Sequence, residues 1–278
     1  MTVPPTRVIV LWLPDWPVTA LLRSEARAAA RALDGEPVAG ADPHDAPIAI
    51  MHANRVVACS ASARREGVRR GQRRRDAQGA CPRLRLVPAD AGRDERAFSP
   101  LLTRLEQLAP GVQPLRPGLC AIRARGPARF YGGEEGAASA LLDELAGGGI
   151  PDARAGVADG LFTAEQAARL MSPASIRIVP PGASAAFLAP LTVAALSDDE
   201  LVALLARLGV QTLGEFAALD ISAVRDRLGD HGARLHALAG GSDSRPVVPR
   251  VPPPELARQV EFEPPLELAE QVAFAVRT

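Results

Sequence analysis

Short apolar runs alternate with amphipathic stretches along the first two thirds of the chain. Residues 8–13 form a continuous apolar run after Arg7, and residues 7–13 are therefore predicted to be a buried strand. The pattern takes on a helical period from Val18 to Leu33. Asp15 lies between the two, where we expect its carboxylate to cap the helix. The same patterns predict strands at 47–52, 55–60, 83–88 and 154–158, and helices at 62–67, 73–79, 91–108, 134–145 and 161–171.

A β-hairpin is predicted from Val112 to Arg125, where two apolar runs flank Arg116-Pro117-Gly118. The middle of a mixed α/β domain is a common place for catalytic carboxylates. No Asp or Glu occurs between Glu106 and Glu134, so this hairpin supplies none. The order strand, helix, hairpin, helix, strand predicts a compact α/β domain with an inserted module near residues 19–90.

A second, helical unit is predicted after residues 180–181. One helix covers residues 198–208, and Thr212 with Glu215 matches a capping box that begins the next. The turn Gly209-Val210-Gln211 between them is typical of a helix–hairpin–helix, whose backbone N–H groups can hold a phosphate without reading base sequence. An ordinary helical hairpin is the alternative. A helix at 225–239 completes the unit.

The last part of the chain changes composition. Residues 240–254 are rich in Gly, Ser and Pro, which predicts an extended linker. A strand at 256–262 and a helix at 266–277 follow. Because one strand and one helix cannot bury a core of their own, we expect them to begin a further domain whose remainder lies outside these residues.

Length and composition narrow the class of protein. A chain of 278 residues with 47% apolar residues is long enough for two or three compact units. No stretch resembles a membrane span or a signal peptide. Cys59, Cys81 and Cys120 are odd in number without paired spacing, which indicates a reducing, cytoplasmic setting. The four histidines have no Cys pair nearby, so a structural zinc site is not expected. No cofactor is expected either.

The chain carries 32 basic and 32 acidic residues, and every basic residue is Arg. The absence of Lys excludes Schiff-base chemistry and a Walker-type phosphate loop, and genomic base composition is its simplest explanation. The distribution of charge is uneven. Eight Arg and a single acid, Glu66, occur from Arg55 to Arg75, so an overall neutral chain has a local positive block.

Three segments give the chain a family resemblance. They are VVACSASARREGVRRG from Val56, GVADGLFTAEQAA from Gly156 and LARLGVQTLGEF from Leu205. Together with the order of predicted elements, they resemble the Y-family translesion DNA polymerases over nearly the whole chain. The resemblance implies a multi-domain α/β (α+β) fold with a palm at 1–18 and 91–172, fingers at 19–90, a helix–hairpin–helix thumb at 173–240, a linker at 241–254 and part of a little finger at 255–278.

The chain departs from that family where metals bind. By the resemblance, an Asp ends the first strand and an Asp-Glu pair follows in the hairpin; the matching residues here are Pro14, Gly118 and Leu119. A lysine near the triphosphate corresponds to Leu161, and an aromatic residue of the fingers corresponds to Ala61. Two Mg²⁺ ions need several fixed anionic oxygens. The expectation is therefore a protein that is not an enzyme, a pseudo-polymerase without metal ligands.

The N-terminal LWLPDWP pattern is similar to a catalytically inactive subgroup of the family that belongs to a bacterial mutagenesis cassette. That similarity implies a scaffold in damage-induced (SOS) mutagenesis, associated with the nucleoid. The implied partners are DNA, the replicative sliding clamp, a RecA-like accessory protein and an error-prone C-family polymerase. The protein contacts are expected in a C-terminal part beyond these residues.

Several retained residues are candidates for contacting primer–template or single-stranded DNA independently of sequence. They are Arg64, Arg69, Arg70, Arg73, Arg74 and Arg75 in the fingers, with Gly209, Val210 and Gln211 in the thumb. A solvated basic surface or a protein contact is the alternative for the arginines. Trp12 and Trp16 are predicted to fill the core or a crevice beside Pro14.

Three other functions stay open at this point. An active polymerase with displaced ligands would have to use Asp15, Asp159 and Glu134. A nucleotide sensor would bind a triphosphate at Arg64, which keeps the family's phosphate-contacting arginine. A purely protein-binding platform would need neither.

Overall fold

A computed structural model describes residues 6–32, 46–170, 172 and 175–250. Its centre is a five-stranded sheet in the order β5-β6-β1-β7-β8, with β1 antiparallel to β6 and β7, and β7 parallel to β8. The strands are β1 (Arg7–Trp12), β5 (Gln113–Arg116), β6 (Leu119–Arg123), β7 (Arg154–Asp159) and β8 (Ile176–Ile178).

The two faces of this sheet form two cores because side chains alternate along a strand. Ile9 and Leu11 of β1 pack on one face against α1 (Trp16–Ala32), α4 (Ala91–Leu108) and α6 (Glu134–Gly147). Val8 and Val10 pack on the other face against α7 (Leu161–Arg169). The continuous apolar run of β1 thus reflects a strand that is buried on both sides.

The inserted module has a small sheet of its own, in the order β3-β2-β4. Ser60 follows β3 and caps the next helix, since its Oγ accepts from the Ala63 N–H at 3.3 Å. The module consists of β2 (Ile48–His52), β3 (Arg55–Cys59), α2 (Ala61–Arg65), α3 (Arg74–Ala80) and β4 (Arg85–Pro88).

Short helices form the second unit around a separate apolar cluster that includes Leu205, Leu213 and Phe216. The predicted capping box is present: Thr212 Oγ1 accepts from the Glu215 N–H at 3.2 Å and the Glu215 carboxylate accepts from the Thr212 N–H at 3.0 Å. The helices are α8 (Ser184–Leu188), α9 (Asp199–Arg207), α10 (Leu213–Ala217) and α11 (Ile221–Ala239), with a 3₁₀ turn at Val193–Leu196.

The described part of the predicted linker has no helix or strand, but it packs against the central domain. Val247 is 1% exposed, and its carbonyl accepts from Arg123 Nη2 at 2.9 Å. Arg250 Nε donates to Glu106 Oε1 at 2.7 Å. Residues 242–250 therefore pack along the central domain without joining a sheet. The strand and helix expected at 256–277 lie outside the described residues.

Other differences follow from weak local patterns. The sequence did not indicate α5 (Arg125–Phe130), β8 or α8, which are three to six residues long. Helix α11 begins four residues before the predicted start and contains a non-helical Gly229 at φ 64°. Within the described residues, no helix combines the length and apolarity needed to cross a membrane.

Candidate functional site

A cleft of about 510 Å³ opens where β1 ends, between the central sheet and the inserted module. The chain turns here after Trp12, and the β5–β6 turn meets it: the Leu13 N–H donates to the Gly118 carbonyl at 2.8 Å. Arg64 and Arg70 reach the cleft from the module, and Arg116, Arg154 and Arg169 reach it from the central domain. Asp15 is the acidic residue among the lining side chains.

The structure places Pro14, Gly118 and Leu119 together at this cleft or beneath it. Leu119 is 1% exposed and lies opposite Trp12 in the sheet. Gly118 has φ 83°, and a Cβ at Gly118 would lie 2.4 Å from the Trp16 Cβ. A side chain at position 118 would therefore meet the Trp16 indole before it reached the cleft.

These residues do not fit the pair of Mg²⁺ ions that the resemblance implies. Pro, Gly and Leu offer no side-chain oxygen, whereas Mg²⁺ requires near-octahedral oxygen coordination. Over the part of the chain that the structure describes, no group of three or more His, Cys, Asp or Glu side chains is arranged to hold a metal ion. No catalytic step is assigned to a metal here.

Asp15 does not cap α1 with its side chain, contrary to the sequence prediction. Its backbone has φ 47°, and its carbonyl accepts from the Val18 N–H at 2.8 Å. The carboxylate instead forms an ion pair with Arg64 and accepts from the Cys59 N–H at 3.4 Å. Asp15 therefore joins the inserted module to the end of β1.

The hypothesis that Asp15, Asp159 and Glu134 together replace the missing metal ligands is wrong, because the three side chains do not lie close together. Asp159 pairs with Arg7 at the far end of β1, roughly 16 Å from Trp12 at about 3.3 Å per strand residue. Both Asp159 and Glu134 are held there by the Arg7 guanidinium, at 3.2 Å and 2.8 Å. Neither carboxylate can join Asp15 around one ion.

Both tryptophans fill space as predicted. Trp16 is 2% exposed, donates from Nε1 to the Asp94 carbonyl at 2.9 Å and contacts the Phe98 ring at 5.3 Å between centroids. Trp12 is half-buried on the cleft wall. The guanidinium carbons of Arg154 and Arg169 lie 4.9 Å and 5.4 Å from the centre of its ring.

The remaining family positions differ in exposure. Ala61 begins α2 at the surface, while Leu161 begins α7 and is 4% exposed within the core. Arg64 donates to the Cys59 carbonyl at 2.8 Å in addition to its ion pair with Asp15. Leu161 thus supports packing, and Arg64 is partly occupied by contacts within the chain.

All eight arginines of the basic block from Arg55 to Arg75 are exposed. Arg69 donates from Nη1 to the Arg64 carbonyl at 2.6 Å, which holds the turn between α2 and α3. Arg55 and Arg69 donate to backbone carbonyls, whereas Arg70, Arg73, Arg74 and Arg75 are exposed with neither an ion pair nor a side-chain hydrogen bond within the described residues. Their contact with DNA stays a prediction.

The predicted turn Gly209-Val210-Gln211 is present. Its backbone N–H groups were expected to be free to bind a phosphate, but they are hydrogen-bonded within the chain. The N–H groups of Gly209 and Val210 donate to the Ala206 and Leu205 carbonyls at 3.1 Å and 2.9 Å. The Gln211 N–H donates to the Glu215 carboxylate at 2.7 Å. A phosphate at this turn would have to share or displace these bonds, so the proposed grip through free N–H groups is not supported.

Sequence reasoning missed Arg116, Arg154 and Arg169. They lie on three separate elements, and only the sheet order brings them together. Glu165 joins two of them, at 2.8 Å from Arg116 and 2.7 Å from Arg169. Burial acts to raise the pKa of Glu165, but the two arginines lower it overall. Burial also lowers the pKa of Arg154.

Comparison with known proteins assigns this arrangement to a family. The family described as IMS (impB/mucB/samB) matches residues 26–169. A DNA polymerase IV of Desulfatibacillum aliphaticivorans is 30% identical over 219 residues, covering 76% of this chain and 54% of the relative. Protein ImuB of Caulobacter vibrioides (strain NA1000 / CB15N) is 31% identical over 211 residues, covering 74% of this chain and 45% of the relative. The chain spans about half the length of these relatives.

Solved structures share the fold. A Y-family DNA polymerase chimera aligns with a TM-score of 0.65 at 17% identity, covering 88% of this chain and 70% of its own. An insertion ternary complex of Dbh DNA polymerase aligns with a TM-score of 0.66 at 17% identity, covering 87% and 69%. The predicted α/β (α+β) Y-family fold and the resemblance to that family are confirmed.

The expectation that the chain is not an enzyme is contradicted by the same comparisons. Relatives are named DNA polymerase IV, and structures with this fold are DNA polymerases, which points to a polymerising enzyme. The lack of a carboxylate at residues 14, 118 and 119 does not by itself establish that the chain is inactive.

Proposed function

The chain belongs to the impB/mucB/samB family, and from that premise we propose that it is a polymerase-like unit that binds DNA during translesion synthesis. The matched region includes the whole inserted module that the structure describes and most of the central domain. Association with the nucleoid after DNA damage follows from this proposal.

The observation that carries the proposal is the exposed arginine surface on α3 and the turn before it. Arg70, Arg73, Arg74 and Arg75 are exposed. Two acidic residues, Glu66 and Asp76, are near these arginines in the sequence and could neutralise them. Glu66 is already paired with Arg83 at 2.8 Å, so only Asp76 remains to offset their charge. Unpaired guanidinium groups release counterions from a phosphate backbone, which gives sequence-independent binding that weakens with salt.

Fluorescence anisotropy with labelled primer–template DNA tests this proposal. The double variant Arg74→Ser/Arg75→Ser should bind roughly tenfold more weakly at moderate salt, because two phosphate contacts are lost. The matched control is Arg125→Ser/Arg129→Ser, which removes two exposed charges from α5 at the opposite end of the central sheet. Equal affinity of both double variants would remove α3 from the DNA footprint.

Recruitment of other proteins is the second part of the proposal, supported by the likeness to Protein ImuB. The partners implied by the family resemblance are the sliding clamp, a RecA-like accessory protein and an error-prone C-family polymerase. Size-exclusion chromatography of the full chain with each purified partner tests this part. Co-elution at micromolar concentration supports it, and separate elution with all three contradicts it for this chain.

A second candidate function is primer extension, which the names of the relatives favour. Asp15 is the acidic side chain at the cleft and is ion-paired with Arg64, while Pro14, Gly118 and Leu119 carry no side-chain oxygen, so the test centres on Asp15. Primer extension with Mg²⁺ or Mn²⁺, comparing the chain with Asp15→Asn, tests it. Extension that the variant loses would support this function and assign Asp15 a role; no extension with either ion would contradict it.

A further inference from the structure

A positively charged groove, separate from the cleft, lies between α1 and α4. Its volume is about 300 Å³. Four arginines and three small residues line it: Arg27, Arg31, Arg93, Arg96, Ser24, Ala28 and Ala97. None of these described lining residues is acidic. We call this space the α1–α4 groove.

The α1 side of the groove has no compensating negative charge. Arg27 and Arg31 lie about one helical turn apart, and neither makes a hydrogen bond or an ion pair within the described part of the chain. Arg23 lies one turn before Arg27. Burial lowers the pKa of Arg23, and the positive charges of Arg27 and Arg104 lower it further. Positive charges therefore crowd this side of the helix, and a bound anion would relieve their repulsion.

The α4 side is partly compensated. Arg93 pairs with Asp94 at 2.9 Å, and both residues are buried. Arg96 is exposed and makes no hydrogen bond or ion pair with the residues that the structure describes. A hydrogen bond from the Arg93 N–H lowers the pKa of Asp90, and the charges of Arg93 and Arg96 lower it further, so Asp90 lies near them. The two lining arginines of α1, with part of the charge of Arg96, therefore stay uncompensated.

The second half of α1 projects beyond the core of the central domain. From Arg23 to Arg31 no residue of the helix is buried, and residues 26–31 are all exposed. In proteins, most of the stability of a helix comes from packing one face against other elements. The Ala and Arg residues of this segment are strong helix formers, which explains why it is helical without such packing. It therefore presents an open side to a partner.

The lining of the groove suits the carboxylates of a protein better than a nucleic acid. Ser24, Ala28 and Ala97 provide a floor of small side chains, so a third helix can approach α1 and α4 closely. Among the described lining residues none is aromatic, whereas base stacking on aromatic rings provides much of the affinity for single strands. Guanidinium groups also bind carboxylates through two parallel hydrogen bonds.

We propose that the α1–α4 groove docks an acidic helix of a partner protein, whose carboxylates pair with Arg27 and Arg31. Carboxylates four residues apart lie on one face of such a helix, which matches the spacing of the two arginines. Arg96 faces the same helix from α4. The inference goes beyond the proposed function, which names partners by family resemblance and assigns them no surface.

Fluorescence anisotropy with a labelled helical peptide tests this proposal on the full chain. The probe is an alanine-based peptide with glutamate at every fourth position, and the control probe has glutamine in place of each glutamate. At low ionic strength we expect saturable binding of the glutamate peptide and at least roughly tenfold weaker binding of the glutamine peptide, because charge-assisted hydrogen bonds are lost. No saturation with millimolar glutamate peptide, or equal binding of the two peptides, would overturn the proposal.

Two variants separate the groove from general charge effects. Arg27→Gln/Arg31→Gln removes both charges and keeps strong helix formers, and it should weaken peptide binding at least roughly fivefold. Ala28→Phe fills the floor at unchanged charge and should weaken binding as well. All three residues are exposed, so these variants leave the core intact.

The matched control is Arg125→Gln/Arg129→Gln, which removes two exposed arginines, likewise four residues apart, from α5. It should bind the glutamate peptide like the unaltered chain. An equal loss of binding in this control and in Arg27→Gln/Arg31→Gln would show a general charge effect and contradict the proposal. Unchanged binding by both groove variants would contradict it too.

A nucleic acid is the competing ligand for such a surface. We expect Arg27→Gln/Arg31→Gln to keep its affinity for primer–template DNA while it loses the peptide. If it lost DNA affinity and kept the peptide, the groove would belong to the DNA footprint and the proposal would be wrong. The proposal on α3 fails separately, because Arg74→Ser/Arg75→Ser alters arginines that do not line this groove.

Discussion

Gly118 shows how a single position determines what the cleft can hold. Its φ of 83° is a left-handed conformation that only glycine adopts readily. The Trp16 side chain occupies the space where a Cβ would project. The packing of Trp16 and the choice of glycine therefore depend on each other, and a carboxylate at this position would require the indole to move.

Gly118→Ala should lower the free energy of unfolding by about 2 kcal/mol or more, from left-handed strain and overpacking together. Gly126→Ala is the matched control, because Gly126 lies in α5 with no atom within 4 Å of an added Cβ. Its stability should stay the same or rise by up to about 1 kcal/mol. Urea denaturation of both variants measures the difference. Equal stability of the two would show that Trp16 does not occupy the space beside Gly118.

At the scale of elements, α7 depends on a residue far away in sequence. Gly160, which precedes the helix, provides no side-chain cap. The Asp243 carboxylate accepts from the Phe162 N–H at 2.8 Å and from Arg245 Nη2 at 2.8 Å. Burial acts to raise the pKa of Asp243, but these hydrogen bonds lower it overall. The segment after the helical unit thus completes a helix of the central domain.

Asp243→Asn should destabilise the chain by about 1–2 kcal/mol at pH 7, because an anionic acceptor is lost at a helix N-terminus. A carboxyl group with a lowered pKa stabilises the fold above its unfolded value and loses that effect as the pH falls through its folded value. The difference between the two proteins should therefore shrink below about pH 4. Urea denaturation at pH 7 and pH 3.5 measures it.

Asp226→Asn is the control for these measurements. Asp226 is exposed on α11, and its carboxylate makes no hydrogen bond or ion pair with the described residues. Its stability should follow the unaltered chain at both pH values. A gap for Asp243→Asn that stays constant or widens in acid would show that the carboxylate charge does not stabilise α7.

The sequence predicted the elements whose own pattern is strong. Helix α4 was placed at 91–108, and the hairpin strands were placed on either side of Pro117-Gly118, as observed. The short α5, β8 and α8 were missed because elements of a few residues lack a full period. The cleft arginines were missed for another reason: Arg116, Arg154 and Arg169 meet only through the pairing of β6, β1 and β7.

At the scale of the whole molecule, residues 242–250 tie the helical unit to the central sheet. Arg250 donates twice to Glu106, at 2.7 Å each, and once to Thr103 Oγ1 at 3.0 Å. The Glu106 side chain is 3% exposed. A composition typical of a linker conceals this docking, since the contacts that hold it come from Arg250 and Val247 and not from any periodic pattern.

Arg250→Ala should lower the free energy of unfolding by about 3 kcal/mol, because it leaves a buried carboxylate without its partner. Amide hydrogen exchange should rise at residues 243–250 first. The double variant Arg250→Met/Glu106→Leu should recover most of the stability, since neither charge is then buried. A single variant as stable as the unaltered chain would show that the pair does not hold this segment.

The central claim is that exposed guanidinium groups of α3 hold phosphates of DNA. The slope of log affinity against log salt concentration tests it most directly, because each phosphate contact contributes about 0.9 to that slope on duplex DNA. Anisotropy titrations at several salt concentrations should give Arg74→Ser/Arg75→Ser a slope shallower by roughly 1–2 than the unaltered chain or Arg125→Ser/Arg129→Ser. A slope for Arg74→Ser/Arg75→Ser equal to that of the unaltered chain would contradict the claim.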